Sequence, residues 1–205
     1  MIFVDRWVNF QQRRIIKKIP LAGKTLLDMG CGSGDYLKIF AESLGGENLA
    51  GLDIFKAEIP GIKTFKGTGE KLPFDSNSFD VVFEKDTLHH IEDKKKALAE
   101  MKRVAKKQVV LVEANLNNRV MDAFIDKKMH HHFSPETLAE LLKGEKFEMK
   151  FVEAFPFGSN KVFLLKLFNY LPRICSRLAF GLVGKIWNLF EGKKAAFIVC
   201  TISVQ

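Results

Sequence analysis

Short apolar runs alternate with helical patterns along most of the chain. This alternation is typical of βαβ units that build a mostly parallel, doubly wound sheet with helices on its faces. The apolar runs predict seven strands: Lys24 to Met29, Asn48 to Leu52, Ile62 to Phe65, Phe79 to Phe83, Val109 to Val112, Phe147 to Val152 and Ala196 to Ser203. The pattern between them predicts three helices: Tyr36 to Leu44, Asp93 to Lys106 and Pro135 to Lys143. The predicted fold class is therefore α/β.

Two further segments extend this core, one before the first strand and one between the last two strands. An early helix at about Val4 to Ile19, within residues 1–20, precedes the first strand and stops at Pro20. A long connection, residues 155–194, joins the sixth and seventh predicted strands. Structureless loops of that length are uncommon, so we expect a helical insertion there. A chain of 205 residues suits one well-buried core, and we predict a single domain over residues 1–205.

A glycine-rich segment follows the first predicted strand. Asp28 lies near the end of the apolar run, and Gly30, Gly32 and Gly34 come after it. Glycine has no Cβ and accepts positive φ angles, so the main chain there can touch a ligand. The next strand is closed by Asp53, 19 residues after Gly34, where a carboxylate suits ribose hydroxyls. The segment therefore indicates a nucleotide-type cofactor.

Two classes of cofactor are compatible with such a loop. The dinucleotide fingerprint G-x-G-x-x-G, counted from Gly30, requires a glycine where this chain has Asp35. An NAD-type oxidoreductase is therefore the less favoured hypothesis. The pattern D-x-G-C-G-S-G, followed by Asp53, resembles the cofactor loop of the class I methyltransferases that depend on S-adenosylmethionine (SAM).

Later segments extend this resemblance to roughly residues 20 to 153, in the order in which the family has them. They are Gly69 to Asp93 with its LPF turn and LHH, Ala97 to Lys107, Val109 to Asn115 and Phe133 to Lys150. Together they are similar to the small-molecule branch called type 11. The resemblance implies a Rossmann-like sheet of seven strands with an antiparallel last strand, SAM as the cofactor, and methyl transfer to a small-molecule or lipid-like acceptor.

The resemblance also implies which residues bind the cofactor. In the family, the acid matching Asp28 orders the loop, the acid matching Asp53 takes the ribose hydroxyls, and the residue matching Ile54 lies against adenine. Thr68 stands where the family more often has an acid for adenine, while Glu84 is either a solvated carboxylate or a cofactor or substrate contact. The expected cofactor-binding residues are Asp28, Gly30, Cys31, Gly32, Gly34, Asp53, Ile54, Gly69, Glu70 and Glu84.

The candidate catalytic residues are Asp86, His89 and His90. One of them could take a proton from a phenol, an enol or an acidic carbon, whereas an amine or carboxylate acceptor needs less help. The two histidines suit equally well a structural role at a helix start, and the range 130–132 suits a pocket border or a solvated turn. We expect no metal, because neither histidine cluster has a Cys, Asp or Glu at a recognised ligand spacing.

The net charge of +8 is concentrated in one stretch of the chain. Residues 154–190 contain no acid and five cations, and their apolar positions recur with a helical period. This stretch predicts either a lid packed on the core, or a surface that contacts an anionic membrane or admits an apolar acceptor. Nucleobase acceptors are not expected, because Glu84 to Thr87 replace the motif of the base-directed enzymes. A non-catalytic SAM-binding or membrane-associated interaction protein remains an alternative.

The cellular location of the protein is predicted from its cysteines and its apolar runs. Cys31, Cys175 and Cys200 are odd in number and far apart, so no disulfide framework is expected. The N-terminal region has charged residues where a signal peptide needs an apolar core, and no apolar run is long enough for a membrane span. We expect a cytoplasmic protein, in solution or peripheral to a membrane.

Overall fold

The computed structural model describes residues 12–55, 57–118, 132–152 and 195–204. Within them the chain forms seven strands, so each predicted strand is confirmed. They are β1 (Leu26–Met29), β2 (Leu49–Asp53), β3 (Lys63–Lys66), β4 (Phe79–Lys85), β5 (Ala105–Ala114), β6 (Phe147–Val152) and β7 (Phe197–Ser203).

The strands form one sheet in the order β3-β2-β1-β4-β5-β7-β6. Neighbours from β3 through β5 are parallel, and β7 runs antiparallel to both β5 and β6. The predicted Rossmann-like sheet with an antiparallel last strand is therefore confirmed. The strand order reverses between β1 and β4, and ligands of open α/β sheets bind beyond the carboxyl ends of strands at such a point.

Three helices flank the described strands: α1 (Asp35–Leu44), α2 (Lys94–Val104) and α3 (Pro135–Leu141). Each matches a predicted helix. The N-cap expected at Ser134 is present, since its side chain accepts a hydrogen bond from Thr137 N–H while the Thr137 hydroxyl accepts one from Ser134 N–H. The early helix predicted at about Val4 to Ile19 lies partly outside the described residues. Of the described part, residues 12–16 are helical. The predicted insertion at 155–194 lies outside the described residues.

The sheet separates two apolar layers because successive side chains of a strand point to opposite faces. One layer contains Val82 of β4 and packs against α2, and the other contains Phe83 and packs against α1. In the second layer the Phe83 ring meets the Phe40 ring edge-on at 5.2 Å. This packing holds the carboxyl ends of β1 and β4 side by side. Within the described part of the chain, no helix is both long and apolar enough to cross a bilayer.

Candidate active site

The glycine-rich loop is tied to the end of β2. The N–H groups of Gly30 and Cys31 donate to the Leu52 carbonyl at 2.7 and 3.1 Å. The Gly32 N–H donates to Asp53 Oδ2 at 2.9 Å. The acid that closes β2 therefore orders the loop as well as facing the pocket. The expectation that Asp28 orders the loop stays a prediction.

Two glycines of this loop are required for different reasons. A Cβ at Gly30, whose φ is +79°, would lie 2.1 Å from the Thr87 hydroxyl oxygen, so only glycine lets the loop meet the turn after β4. A Cβ at Gly32 would have no atom of the described residues within 4 Å. The first glycine serves the packing of the protein, whereas the second borders open space.

A pocket of about 540 Å³ lies beside the loop, at the carboxyl ends of the strands. It is lined by Met29, Gly30, Leu52, Asp53, Ile54, Gly67, Thr68, Gly69, Glu70, Lys85, Asp86, Thr87, His90, Ile91 and Glu92. A larger and more open depression of about 660 Å³ runs along residues 57–65 and shares none of these residues. We take the smaller pocket as the site, because it joins the glycine loop to acids from several strands.

The pocket brings together seven of the residues predicted for the site: Gly30, Asp53, Ile54, Gly69, Glu70, Asp86 and His90. Six others do not line it: Asp28, Cys31, Gly32, Gly34, Glu84 and His89. Of the loop members in this second group, Cys31 and Gly32 follow directly after Gly30, and Gly34 is the N-cap of α1. The acids and His89 are buried behind the pocket wall.

The nucleoside end of the pocket matches the expectation from sequence in part. Asp53 Oδ1 accepts a bond from Phe55 N–H at 3.1 Å, and each carboxylate oxygen can accept a further hydrogen bond, here from a ribose hydroxyl. Ile54 is 57% exposed, which leaves an apolar surface for a base. Glu70 Oε1 already accepts a bond from Asp93 N–H at 2.9 Å, so only part of its carboxylate faces the ligand.

Asp28 is buried at the end of β1, with 3% of its surface exposed. Burial, and secondly the charge of Asp53, raise the pKa of Asp28 to about 8, while Lys85 opposes this change. Removal from water disfavours the charged form of a carboxyl group, which is why burial raises this pKa. Asp28 therefore titrates close to neutral pH, where it can respond to a bound charge.

Burial of Glu84 rules out one of the two alternatives that the sequence left open, and its contact with a cofactor or substrate stays a prediction. Glu84 is completely buried, so it is not a solvated carboxylate. Its Oε2 accepts bonds from Thr87 and Leu88 N–H at 3.1 and 3.2 Å, and its Oε1 accepts one from Val112 N–H at 3.2 Å. Burial, followed by the charge of Glu113, raises the pKa of Glu84 well above its ordinary value. Its observed role is to hold the turn after β4 against β5.

That turn presents Lys85 and Asp86 to the pocket. Asp86 has a φ of +49°, which is unusual for a residue with a Cβ, and its Oδ2 pairs with the Lys85 ammonium. The same ammonium lies 4.6 Å from the centre of the Phe197 ring. Within the described residues, Asp86 Oδ1 and the Tyr36 hydroxyl are buried without a hydrogen-bond partner. Of these two residues only Asp86 lines the pocket, so its Oδ1 can accept a hydrogen bond from a ligand.

Behind the wall, Glu113 contacts His89, and the sequence analysis did not single out this acid. Glu113 is completely buried, and its Oε2 lies 2.7 Å from His89 Nδ1. The His89 ring lies between the rings of His90 and His132, with centroid distances of 4.0 and 4.1 Å. Donor atoms of Asp86, His89 and Glu113 lie within 4.8 Å of one another, which is a set of potential metal ligands that sequence spacing did not indicate.

Comparison with known proteins decides the family. Residues 27–112 match the family model described as a methyltransferase domain. A phthiotriol/phenolphthiotriol dimycocerosates methyltransferase of Mycobacterium leprae is 30% identical over 145 residues, covering 64% of this chain and 54% of that protein. Residues 27–112 therefore form part of a SAM-dependent methyltransferase domain of type 11. SAM is accordingly the cofactor of the family, and a pocket lined by glycine backbone, Asp53 and an exposed Ile54 fits it.

Two further comparisons define how far the likeness extends. The ubiquinone/menaquinone biosynthesis C-methyltransferase UbiE of Campylobacter jejuni is 25% identical over 182 residues, covering 69% of this chain and 77% of that protein. A SAM-dependent methyltransferase structure from Thermotoga maritima, titled a possible histamine N-methyltransferase, has a TM-score of 0.66 at 19% identity over 99% of this chain and 92% of that one. This last likeness concerns the fold. The chain spans about half the length of the M. leprae relative.

Replacing Asp28 by Asn should remove part of the pH dependence of stability. The carboxyl group has a pKa near 3.9 in an unfolded chain and about 8 in the fold. Between these values the folded protein holds a proton that the unfolded chain has lost, so the free energy of unfolding falls as pH rises and levels off above the folded pKa. Asp28→Asn should flatten this slope and be more stable near the upper end by on the order of a few kcal/mol.

Urea unfolding of both proteins over a pH series measures the effect. Asp75→Asn, a change at an exposed carboxylate, is the matched control and should keep the wild-type slope. Equal slopes in wild type and Asp28→Asn would contradict the assignment of a raised pKa to this residue.

Proposed function

We propose that this methyltransferase binds SAM in the pocket beside the glycine loop and transfers its methyl group to a small-molecule or lipid-like acceptor. The observation that carries the proposal is that the backbone of Gly30 and the side chain of Asp53 line the same pocket. The loop is tied to that acid, because the Gly32 N–H donates to Asp53 Oδ2 at 2.9 Å. Glycine backbone and a carboxylate group thus lie on the same wall of the pocket, which suits a nucleoside with a polar tail.

The side chains of the pocket suggest a division of roles. Asp53 would take the ribose hydroxyls, Ile54 would cover the base, and the loop backbone from Gly30 would lie along the methionyl part. SAM itself supplies an activated methyl group on a sulfonium. The protein then has to bring the acceptor in line with that methyl and to exclude water. Asp86 and His90, on the wall across from the loop, would contact the acceptor.

The names of relatives support an acceptor of lipid-like character. The M. leprae relative is named for phthiotriol and phenolphthiotriol dimycocerosates, and the C. jejuni relative for ubiquinone and menaquinone biosynthesis. Those acceptors belong to those proteins. For this chain they favour a hydroxyl or carbon acceptor on a long apolar molecule over a small polar amine.

Titration calorimetry with SAM, S-adenosylhomocysteine (SAH) and NAD tests the cofactor. We expect binding of SAM and SAH and none of NAD. Asp53→Ala should weaken SAH binding by about 1.5 to 3 kcal/mol, because hydrogen bonds to a charged acceptor are lost. The affinity of Asp53→Asn for SAH should lie between those of wild type and Asp53→Ala, because the amide oxygen can still accept a hydrogen bond from the Gly32 N–H. Asp75→Ala is the control, and binding of NAD without SAH would overturn the proposal.

Two alanine substitutions in the glycine loop should separate folding from cofactor binding. Gly30→Ala places a Cβ against Thr87 and should lower the melting temperature strongly. Gly32→Ala meets no described atom, so the protein should keep most of its stability, apart from the strain of a φ of +50°. Its affinity for SAH should nevertheless fall about tenfold or more, because the Cβ occupies ligand space. Gly32→Ala that binds SAH as tightly as wild type would place the cofactor elsewhere.

We further propose that residues 155–190 contact an anionic membrane. The sequence of this stretch has no acid, and its cations are Lys161, Lys166, Arg173, Arg177 and Lys185. Each cation near an anionic surface contributes about 1 kcal/mol, so several give reversible attachment that weakens with salt. Sedimentation with anionic vesicles should pull down wild type at low salt and not a variant with Lys166, Arg173 and Arg177 changed to Glu. If both proteins sediment equally with the vesicles, the membrane proposal is wrong, and the interpretation of this stretch as a lid packed on the core remains.

A further inference from the structure

Three large apolar side chains of the described residues are exposed, and all three lie at one corner of the sheet. They are Ile54, Phe55 and Phe65, of which Phe55 is 76% exposed. The ends of the parallel strands β2 and β3 pair there, with Asp53 in register with Lys66. Ile54 and Phe55 follow Asp53, and Phe65 precedes Lys66, so the three side chains share one end of this strand pair. Such a group of exposed apolar side chains indicates a contact surface.

The connection between β2 and β3 explains why these side chains are uncovered. Parallel strands usually need a crossover of a dozen or more residues, most often with a helix that packs on the sheet. Here the connection is residues 54–62, and none of its described members is helical. Ile59 of this connection is buried, whereas Phe55 at its start is exposed. Within the described part of the chain, the crossover thus provides no helix to cover the corner.

Cations lie beside the exposed apolar side chains. Lys66 ends β3 and Lys71 lies in the turn that follows it, and both are exposed. No ion pair with a described residue neutralises either ammonium. Of the acids along this stretch, Asp53 and Glu70 line the cofactor pocket and accept backbone hydrogen bonds, and Glu58 is exposed in the connection. The β2–β3 corner consists of Ile54, Phe55, Phe65, Lys66 and Lys71.

This combination of side chains fits an anionic lipid surface better than a protein partner. Segments that lie on membranes place aromatic side chains at the boundary between headgroups and acyl chains, and their cations near the anionic headgroups. In a symmetric dimer through the corner, Lys66 and Lys71 of each copy would instead face the same cations of the other. An added partner strand is also disfavoured, because β3 has four residues and a lysine at each end, which is how sheets protect their edges.

We propose that the β2–β3 corner docks the protein on an anionic lipid surface, with Phe55 in the headgroup boundary and Lys66 and Lys71 on the headgroups. This surface is separate from the contact proposed for residues 155–190. Because Ile54 belongs to the corner and also lines the cofactor pocket, docking places the mouth of that pocket at the lipid surface. A lipid-like acceptor then reaches the pocket directly from the bilayer, a consequence that rests on the proposed methyl transfer.

Hydrogen exchange in the presence of vesicles locates the contact in the full-length chain. Vesicles of phosphatidylcholine with phosphatidylglycerol should slow amide exchange in residues 54–66 at low salt, and vesicles of phosphatidylcholine alone should not. Exchange at the opposite end of the sheet, where β5 and β6 begin, should not change. The proposal is wrong if wild type does not bind the anionic vesicles, or binds them without slower exchange in residues 54–66.

Charge reversals test the same surface by affinity. Lys66→Glu combined with Lys71→Glu should weaken binding to anionic vesicles at least tenfold, because each cation at such a surface contributes about fivefold. Lys106→Glu combined with Lys146→Glu is the matched control, since it changes the net charge equally at exposed lysines where β5 and β6 begin. Phe55→Ser should also weaken binding, because less apolar surface is buried. Equal losses in both double variants would indicate attraction by net charge alone and would remove the corner as the docking surface.

Two further measurements separate the remaining outcomes. Light scattering without vesicles should show no association through the corner, and a wild-type dimer that Phe55→Ser dissociates would identify a second copy as the occupant and overturn the lipid contact. SAH affinity should stay the same in these variants, because none of the changed side chains lines the pocket. SAH binding without vesicle binding removes only the lipid surface, whereas absence of SAH binding in wild type removes the proposed function itself.

Discussion

Three backbone N–H groups converge on the Glu84 carboxylate and bind the end of β4, the turn after it and β5 into one unit. The turn that leaves β4 has few backbone partners of its own, and buried N–H groups without acceptors are costly. The carboxylate supplies those acceptors from inside the protein. Asp86 can therefore hold its positive φ, and the short 3-10 turn Leu88–His90 brings His89 to Glu113.

The opposite wall of the pocket is built by a different means. The glycine loop is held by its own backbone, through the Leu52 carbonyl, and by one bond to Asp53. Because Gly30 packs directly against Thr87, this loop and the turn ordered by Glu84 are in contact. A change in either segment can therefore reach the other through that contact.

The fold could be predicted from the sequence because strands and glycine-rich turns depend on residues that are close to one another along the chain. The strands were found, and so was the acid that closes β2. The start of β5 was missed, since Ala105 begins a strand that continues through the exposed Lys106 and Lys107 before the apolar run. The role of Glu113 was missed for a deeper reason. Its partner His89 is 24 residues away and on another element, and only the register of β4 and β5 brings them together.

One signal for these buried acids was nevertheless present. Glu84 and Glu113 each follow an apolar run that forms an interior strand, where an ionised side chain costs several kcal/mol unless it is compensated. With Asp28, they put an acid of raised pKa at the end of each of three adjacent strands, β1, β4 and β5. Lys85 is the lysine that the electrostatics couple to Asp28 and Glu113. The charge of Lys85 offsets part of the burial cost of Asp28 and Glu113, and three backbone N–H groups offset part of that of Glu84, so each acid is compensated by its own surroundings.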